Sequence, residues 1–308
     1  MKLSIISPVY QADNIVDILI KKIIEEVEKR TPDFEIILVE DGSDDNSWAR
    51  IQENCQIDKR IKGIKLSKNF GQHYAITAGI SKAKGDNIVL MDCDLQDDPA
   101  YIIELFDARE KGYEIIFTKR KNRKHRTIRS FNSWFFNKLF TLFSEKKYRV
   151  DTGSMVLFTK RVGQVYLNLK DKDRLYIQML KWIGFPNITI EVEHMPRFSG
   201  KSSYGFRKLL SLGLQGWTSY SGRLLRLSTY LGFLLSLCSF LGGLFVFIKY
   251  LFYDLQPGWP SLIIAILFST GLILLSIGIV GIYIGKILEQ SKDRPLYIIE
   301  KEINTDEG

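Results

Sequence analysis

Short apolar runs alternate with amphipathic patterns over the first 120 residues of this 308-residue chain. The apolar runs predict five strands, at residues 3–9, 34–39, 61–66, 88–91 and 114–118. Apolar residues recur at helical spacing from about residue 14 to 29, and further helices are predicted around Ile51 and up to Ala83. Strands that alternate with helices in this way predict βαβ units and therefore a mostly parallel α/β sheet flanked by helices.

Two long segments near the C terminus carry almost no charge. Residues 229–248 and 261–285 each reach the ~20 residues that a transmembrane helix needs. The connector at residues 254–260 has no Lys or Arg, whereas basic residues flank the pair on its outer sides: Arg223, Arg226, Lys286, Lys292 and Arg294. Because positive flanks stay in the cytoplasm, the sequence predicts a transmembrane hairpin with both chain ends in the cytoplasm. Lys249 weakens this asymmetry, although a lysine at a helix end can extend to the headgroups.

These segments predict four regions. They are a cytoplasmic α/β domain at residues 1–200, juxtamembrane interfacial helices at 201–227, two transmembrane helices at 228–286 and a cytoplasmic tail at 287–308. The net charge of +8 is too general to identify a partner by itself. In a membrane protein whose basic run lacks interleaved aromatic residues, an anionic lipid surface is favoured over nucleic acid.

Acidic residues directly follow two of the predicted strands. Asp92 and Asp94 follow the fourth strand, and side chains two apart in an extended segment point the same way. Two carboxylates so close favour a divalent cation, although an Asp-x-Asp motif alone is more often a surface turn that caps the next helix, here with Asp98 before Pro99. Glu40 and Asp41 follow the second strand, so all these acids are expected at one edge of the sheet. No glycine-rich phosphate loop follows a strand, which argues against dinucleotide or P-loop nucleotide binding.

Several runs resemble the inverting nucleotide-sugar glycosyltransferases of family 2, which have a GT-A fold. The matching runs are residues 7–10 (Ser-Pro-Val-Tyr), 40–45 (Glu-Asp-Gly-Ser-Asp-Asp), 69–71 (Asn-Phe-Gly) and 92–99 (Asp-Cys-Asp-Leu-Gln-Asp-Asp-Pro). Residues 151–154 (Asp-Thr-Gly-Ser), residues 197–205 (Arg-Phe-Ser-Gly-Lys-Ser-Ser-Tyr-Gly) and the two-span tail narrow the resemblance further. Within the family the chain is similar to the polyprenyl-phosphate glycosyltransferases, the group of dolichyl-phosphate mannose synthase and bacterial undecaprenyl-phosphate glucosyltransferase.

The resemblance implies roles for the donor-site residues. Pro8, Tyr10 and Glu40 would border the nucleotide pocket, and Asp41 would hydrogen-bond uracil or ribose. The metal site, for Mg²⁺ or Mn²⁺, and the donor diphosphate would be held by Asp92, Asp94 and Gln96. Hard oxygen ligands suit these cations. For Asp41 a turn role, and for Gln96 a helix-entry role, are the alternatives. One departure from the family is the second acid in the Asp97-Asp98-Pro99 run, which we interpret as a helix cap.

The acceptor implied by the resemblance is a polyprenyl phosphate. A phosphate is already anionic at neutral pH, so the site needs positive charge more than a general base. The basic residues expected to bind the acceptor or the leaving diphosphate are Arg120, Arg126, Arg129, Arg197 and Lys201. Arg120 is the best candidate because it comes first after the fifth strand, while a solvated or lipid-binding loop is the alternative for the run as a whole. Asp151 is a further site residue, which acts either as a base or by positioning the acceptor.

The expected reaction is transfer of a sugar with inversion, at the cytoplasmic face of a bacterial inner membrane. Glucose from UDP-glucose is the first choice, and GDP-mannose, UDP-galactose, an N-acetylated sugar or a formamido-arabinose are open alternatives. A phosphatase of the haloacid dehalogenase type, a processive polysaccharide synthase and a noncatalytic nucleotide-sugar-binding scaffold are rivals with less support. Homo-oligomers formed through the hairpins are compatible with the sequence.

Overall fold

The computed structural model describes residues 2–120, 152–193 and 258–305, together with scattered positions between 230 and 252. The chain divides into two compact units. Unit 1 contains Met1–Thr127, Arg149–Ser202 and Arg294–Gly308, and unit 2 contains Ile128–Tyr148 and Ser203–Asp293. Unit 1 therefore includes chain segments from both sides of the apolar C-terminal region.

Unit 1 is built on an eight-stranded sheet with the order β7-β5-β6-β4-β1-β2-β3-β8. Its strands are β1 (Leu3–Val9), β2 (Phe34–Glu40), β3 (Ile61–Leu66), β4 (Asn87–Leu90), β5 (Ile115–Arg120), β6 (Thr152–Thr159), β7 (Asn187–Val192) and β8 (Ile299–Ile303). Its helices are α1 (Val16–Val27), α2 (Ser47–Ile57), α3 (Gln72–Lys82), α4 (Tyr101–Glu110), α5 (Lys160–Asn168) and α6 (Tyr176–Ile183).

The sheet is mostly parallel, as the sequence predicts. Parallel pairs join β1 to β2, β1 to β4, β2 to β3 and β5 to β7, whereas β6 is antiparallel to β4 and β5 and β8 is antiparallel to β3. The carboxyl ends of β1 to β5 consequently lie at one edge of the sheet. The amino end of β6 lies at the same edge, because Thr152 pairs in register with Lys119.

Both faces of the sheet are buried. Ile36 and Leu38 of β2 belong to one apolar cluster, with residues of α1, α2 and α4, whereas Ile37 and Val39 belong to a second cluster, with residues of α3, α5 and α6. Strands covered on both faces need apolar residues at nearly every position, which is why the early strands appear in the sequence as continuous apolar runs.

The structure differs from the sequence expectations at several places. β4 ends at Leu90, so the acids after it are not in an extended strand. α4 begins at Tyr101 instead of Pro99, and the Asp98 carboxylate accepts a hydrogen bond from the Ala100 amide one turn earlier. Strands β6, β7 and β8 were not predicted. β8 pairs with β3 across more than 230 residues of sequence, so no local pattern indicates it.

Unit 2 contains the helix α7 (Trp259–Ser291). Its segment Phe268–Ser291 is long and apolar enough to cross a membrane, with a mean hydropathy of 2.2 over 18 consecutive residues. The other predicted span, residues 229–248, is described only at scattered positions, and each of these is helical. The two-helix hairpin therefore stays a prediction.

Candidate active site

Asp41 fastens two loops together at the carboxyl edge of the sheet. Its Oδ1 atom accepts a hydrogen bond from the Phe70 amide at 2.8 Å, and its Oδ2 atom accepts one from the Gly71 amide at 2.9 Å. Burial raises the pKa of this carboxyl above its usual range, and nearby Glu40 adds to the rise, although the two amides oppose it. Asp41 thus fixes the loop before α3 as well as lining the edge where a nucleotide is expected.

Glycine at position 42 is required by the same contact between loops. Gly42 has a φ of +67°, and a Cβ atom built there would lie 2.3 Å from the backbone nitrogen of Asn69 and 2.4 Å from the carbonyl carbon of Lys68. No side chain fits at this distance from fixed backbone atoms. The Glu-Asp-Gly run therefore encodes a close approach of the β2–α2 loop to the β3–α3 loop.

Glu40 lies at the buried end of β2, and its predicted place beside the nucleotide stays a prediction. Its side chain is fully buried, and its Oε1 atom accepts a hydrogen bond from the Ser43 amide. In this conformation the Glu40 side chain stabilises the loop after β2 through its hydrogen bond with the Ser43 amide. Pro8 is likewise buried within β1, whereas Tyr10 directly after β1 is 46% exposed.

The loops after β1 and β2 are joined by polar side chains. The Gln11 amide donates to the Ser43 hydroxyl at 3.0 Å, and the Asp13 amide donates to the Asp45 carboxylate at 3.2 Å. Burial raises the pKa of Asp45, but hydrogen bonds from Ser47 and the Asp13 amide outweigh it and leave the pKa lowered. These contacts hold the loop that carries Tyr10 against the loop that carries Asp41.

The acidic turn, residues 92–98, follows β4 at the same edge. The Oδ1 atom of Asp92 accepts a hydrogen bond from Gln72 Nε2 at 2.6 Å, and the Oδ1 atom of Asp94 accepts one from the Gln96 amide at 3.2 Å. Leu95, which lies between Asp94 and Gln96, is buried and has a φ of +56°. Burial and the two flanking carboxylates raise the pKa of the Cys93 thiol to about 12.

The donor atoms of this turn fit a hard divalent cation. Across the described residues, no group of three or more His, Cys, Asp or Glu side chains is arranged to enclose a metal ion. Asp92 and Asp94 provide two carboxylates, and Gln96 adds an amide oxygen. Mg²⁺ is typically bound by one or two carboxylates together with substrate phosphates. The turn therefore suits a cation that is held jointly with a diphosphate.

The basic candidates are only partly described. The Nζ atom of Lys119 lies 3.8 Å from the Oε1 atom of Glu191 on the neighbouring strand, and both side chains are exposed. Arg120 is the last residue of β5 and so lies at the edge that carries the acids. Five other predicted site residues fall outside the described part of the chain: Arg126, Arg129, Asp151, Arg197 and Lys201. Their roles stay predictions.

Sequence reasoning missed four residues that contact the acidic turn or its supports. Gln72 holds Asp92, and Ser154 donates a 2.5 Å hydrogen bond to the buried carboxylate of Asp97. The rings of Tyr176 and His73 contact each other, with their centres 5.6 Å apart. The first two residues adjoin or belong to runs that carry the family resemblance, whereas nothing local in the sequence marks Tyr176.

Comparison with known proteins shows the family and the fold. Residues 4–165 match the model of glycosyl transferase family 2. A glycosyltransferase of Bacillus subtilis, YkcC, is 35% identical over 300 residues, covering 97% of this chain and 93% of the relative. The bactoprenol glucosyl transferase of Shigella phage SfV is 32% identical over 305 residues, covering 98% and 99%.

A solved structure shares the fold. The mannosyltransferase of Pyrobaculum calidifontis, in complex with GDP-Man and Mn²⁺, superposes with a TM-score of 0.51 at 14% identity, covering 73% of this chain and 64% of its own. The mostly parallel GT-A sheet that the sequence predicts is thereby confirmed. With more than half of its length matched by the family model and relatives above 30% identity over nearly all of it, the chain belongs to glycosyl transferase family 2.

Proposed function

We propose that the protein transfers glucose from UDP-glucose to a polyprenyl phosphate. The observation that carries this proposal is the nearly end-to-end similarity to a bactoprenol glucosyl transferase, which covers 98% of this chain. A match of that extent includes the apolar C-terminal region as well as the sheet. An enzyme whose acceptor is a membrane lipid needs both parts.

The donor site is assigned to the carboxyl edge of the sheet. The exposed ring of Tyr10 is available to stack on a base, and Asp41 and the loop that it holds would bind the nucleoside. Asp92, Asp94 and Gln96 would hold Mg²⁺ or Mn²⁺ with the diphosphate. When bound, the cation neutralises charge on the departing nucleoside diphosphate.

The acceptor chemistry explains the basic residues. A phosphate monoester attacks the anomeric carbon without losing a proton, so no general base is required. Arg120, Arg126 and Arg129 after β5, with Arg197 and Lys201, would hold the two phosphate groups close together despite their like charge. Asp151, which directly precedes β6, would position one of these cations or the acceptor. A single displacement without a covalent sugar intermediate gives a product of inverted configuration.

The chain path and the basic residues that flank the apolar segments support action at the cytoplasmic face of a membrane. The chain leaves the sheet after Val192 and returns to it at Ile299, so both segments lie on one side of any membrane. The intervening chain must then cross an even number of times. Because Phe268–Ser291 is one apolar segment of spanning length, residues 229–248 would supply the second crossing.

A donor panel tests the proposal. The full chain in detergent, mixed with undecaprenyl phosphate, Mg²⁺ or Mn²⁺ and a radiolabelled nucleotide sugar, is expected to form lipid-linked glucose from UDP-glucose. If lipid-linked product forms only from another donor, the assignment of glucose as the transferred sugar is wrong. Binding of UDP-glucose without any lipid-linked product would favour a noncatalytic scaffold. The anomeric configuration of the product checks inversion.

A further inference from the structure

A buried chain of hydrogen bonds lies behind the acidic turn. The carboxylate of Asp97 is 2% exposed and accepts a 2.5 Å hydrogen bond from the Ser154 hydroxyl. The carbonyl of Ser154 in turn accepts a 2.8 Å hydrogen bond from the hydroxyl of Tyr176, the first residue of α6. One end of the acidic turn is thereby attached to β6 and α6.

The other end of the turn is attached to α3. Gln72, the first residue of α3, donates a 2.6 Å hydrogen bond to Asp92. The next residue, His73, packs its ring against that of Tyr176, with a tilt of 51° between the ring planes. Contacts therefore run from Asp92 through α3, α6 and β6 back to Asp97, five residues further along the same turn.

We propose that Asp97, Ser154 and Tyr176 are positioning residues that set the orientation of the two carboxylates in the acidic turn. The inference rests on the proposed function in one respect, because it takes the turn to be the site of the cation and the diphosphate. None of the three residues is assigned a contact with the reacting atoms. Their action is through Asp92 and Asp94.

The local backbone shows why such support is needed. The turn lies beyond β4, and within residues 92–98 the structure describes a β-bridge at Asp97 alone. Leu95 adopts a positive φ that an L residue takes up only with some strain. A buried carboxylate that loses its hydrogen-bond donor is costly, so the turn stays where Ser154 holds Asp97. Small displacements of metal-binding carboxylates reduce cation affinity, and partners of ligand-bearing groups typically matter by about 10- to 100-fold.

The link to β6 gives the network a second consequence. Ser154 lies three residues after Asp151, the residue predicted to act toward the acceptor. Its side chain bonds to the acidic turn, and its carbonyl bonds to α6. The position of the turn is thus fixed relative to the strand that follows Asp151.

The test uses Ser154→Ala and Tyr176→Phe, each of which removes one hydroxyl from the network. In the full chain in detergent, binding of UDP is measured by calorimetry with and without MnCl₂, alongside the Mn²⁺ concentration that gives half-maximal glucose transfer. Both variants are expected to raise that Mn²⁺ concentration by about tenfold or more and to weaken UDP binding only when Mn²⁺ is present. Ser154→Thr, which restores a hydroxyl, is expected to recover most of the loss.

The matched control is Thr159→Val at the other end of β6. The Thr159 hydroxyl also donates to a carboxylate, that of Glu114, at 3.0 Å, and also caps α5. Thr159 is at the end of β6 far from the acidic turn. Its substitution therefore tests the effect of lost stability alone. Thr159→Val is expected to lower the melting temperature without changing the Mn²⁺ requirement.

The outcomes separate this inference from the proposed function. If Ser154→Ala and Tyr176→Phe behave like Thr159→Val, the residues are merely structural and the inference is overturned, whatever the wild type makes. If wild-type UDP binding responds to Mn²⁺ but no lipid-linked sugar forms, the acceptor assignment fails while the calorimetry still decides the inference. Wild-type UDP binding that responds to neither Mn²⁺ nor Mg²⁺ would overturn the inference, while the donor panel would still decide whether glucose is transferred.

Discussion

Glu35 and Lys62 form a buried ion pair at the sheet edge opposite the acidic turn, with 2.8 Å between carboxylate oxygen and ammonium nitrogen. Both residues are buried near the amino ends of adjacent parallel strands. The Ser4 hydroxyl and the Lys84 amide also donate to the carboxylate, each at 2.6 Å. Burial raises the pKa of Glu35, but the hydrogen bonds from Lys62, Ser4 and Lys84 outweigh it and leave the pKa lowered.

Replacing one partner of this pair should destabilise unit 1. Glu35→Gln leaves the Lys62 charge buried without its counterion, so we expect the free energy of unfolding at pH 7 to fall by about 3 kcal/mol. Chemical denaturation of the full chain in detergent measures the change. Lys29→Gln, which breaks an exposed ion pair with Glu26, should cost no more than about 0.5 kcal/mol. Equal losses in the two variants would contradict the argument.

The same pair predicts a pH dependence. Because the pKa of Glu35 is lower in the folded than in the unfolded state, its contribution is complete above the ordinary value of 4.5 and is lost as the pH falls through the lower folded value. The stability difference between wild type and Glu35→Gln should therefore shrink between pH 7 and about pH 3. A difference that stays constant over this range would show that the carboxylate charge is not the stabilising feature.

Asp94→Asn should abolish glucose transfer while the protein stays folded. An amide is a weaker ligand for Mg²⁺ or Mn²⁺ than a carboxylate, and we expect turnover to fall by about 100-fold or more. Asp98→Asn is the matched control, because Asp98 lies in the same turn and its carboxylate accepts a hydrogen bond from the Ala100 amide before α4. It should retain activity within about twofold. Retained activity in Asp94→Asn would count against the metal site.

Gly42→Ala should disturb the nucleotide edge through its contact with the β3–α3 loop. The added Cβ atom would meet backbone atoms at 2.3 and 2.4 Å, so the loop held by Asp41 must move. We expect a loss of stability of about 2 kcal/mol or more and weaker UDP binding. Gly112→Ala has the same kind of positive φ, +97°, with nothing within 4 Å of the new atom. It should reproduce the backbone strain and leave UDP binding unchanged.

Asn304 should be important for holding β8 on the sheet. Its side-chain amide donates to the carbonyls of Cys55 at 2.7 Å and Ile61 at 2.9 Å, and its φ is +58°. Asn304→Ala should reduce stability by about 2 kcal/mol, with faster amide hydrogen exchange in β8 and β3. Thr305→Ala removes a hydroxyl hydrogen bond to Glu302 and should leave the exchange rates of β3 as they are.

The sequence located the early strands closely because both their faces are buried. Strands β1 and β3 begin and end where the apolar runs do, and β2 extends one residue further to Glu40. The later strands escaped prediction, since β6 and β8 pair with strands far away in sequence. The alternation argument for Asp92 and Asp94 was wrong in its geometry, because β4 ends at Leu90, yet the turn still lies at the predicted edge.

The sequence by itself determined the order of the first five strands and the helices between the early ones, the acids at one edge of the sheet and the family, because periodicity and short motifs are local properties of the chain. Only the tertiary structure decided that Asp41 bonds the Phe70 and Gly71 amides, that Glu40 is buried and that Asp97 bonds Ser154. The physical reason is that a buried polar group must find a partner in whichever element packs beside it. Neighbours such as Asp97 and Ser154, 57 residues apart, are set by strand pairing and not by local sequence.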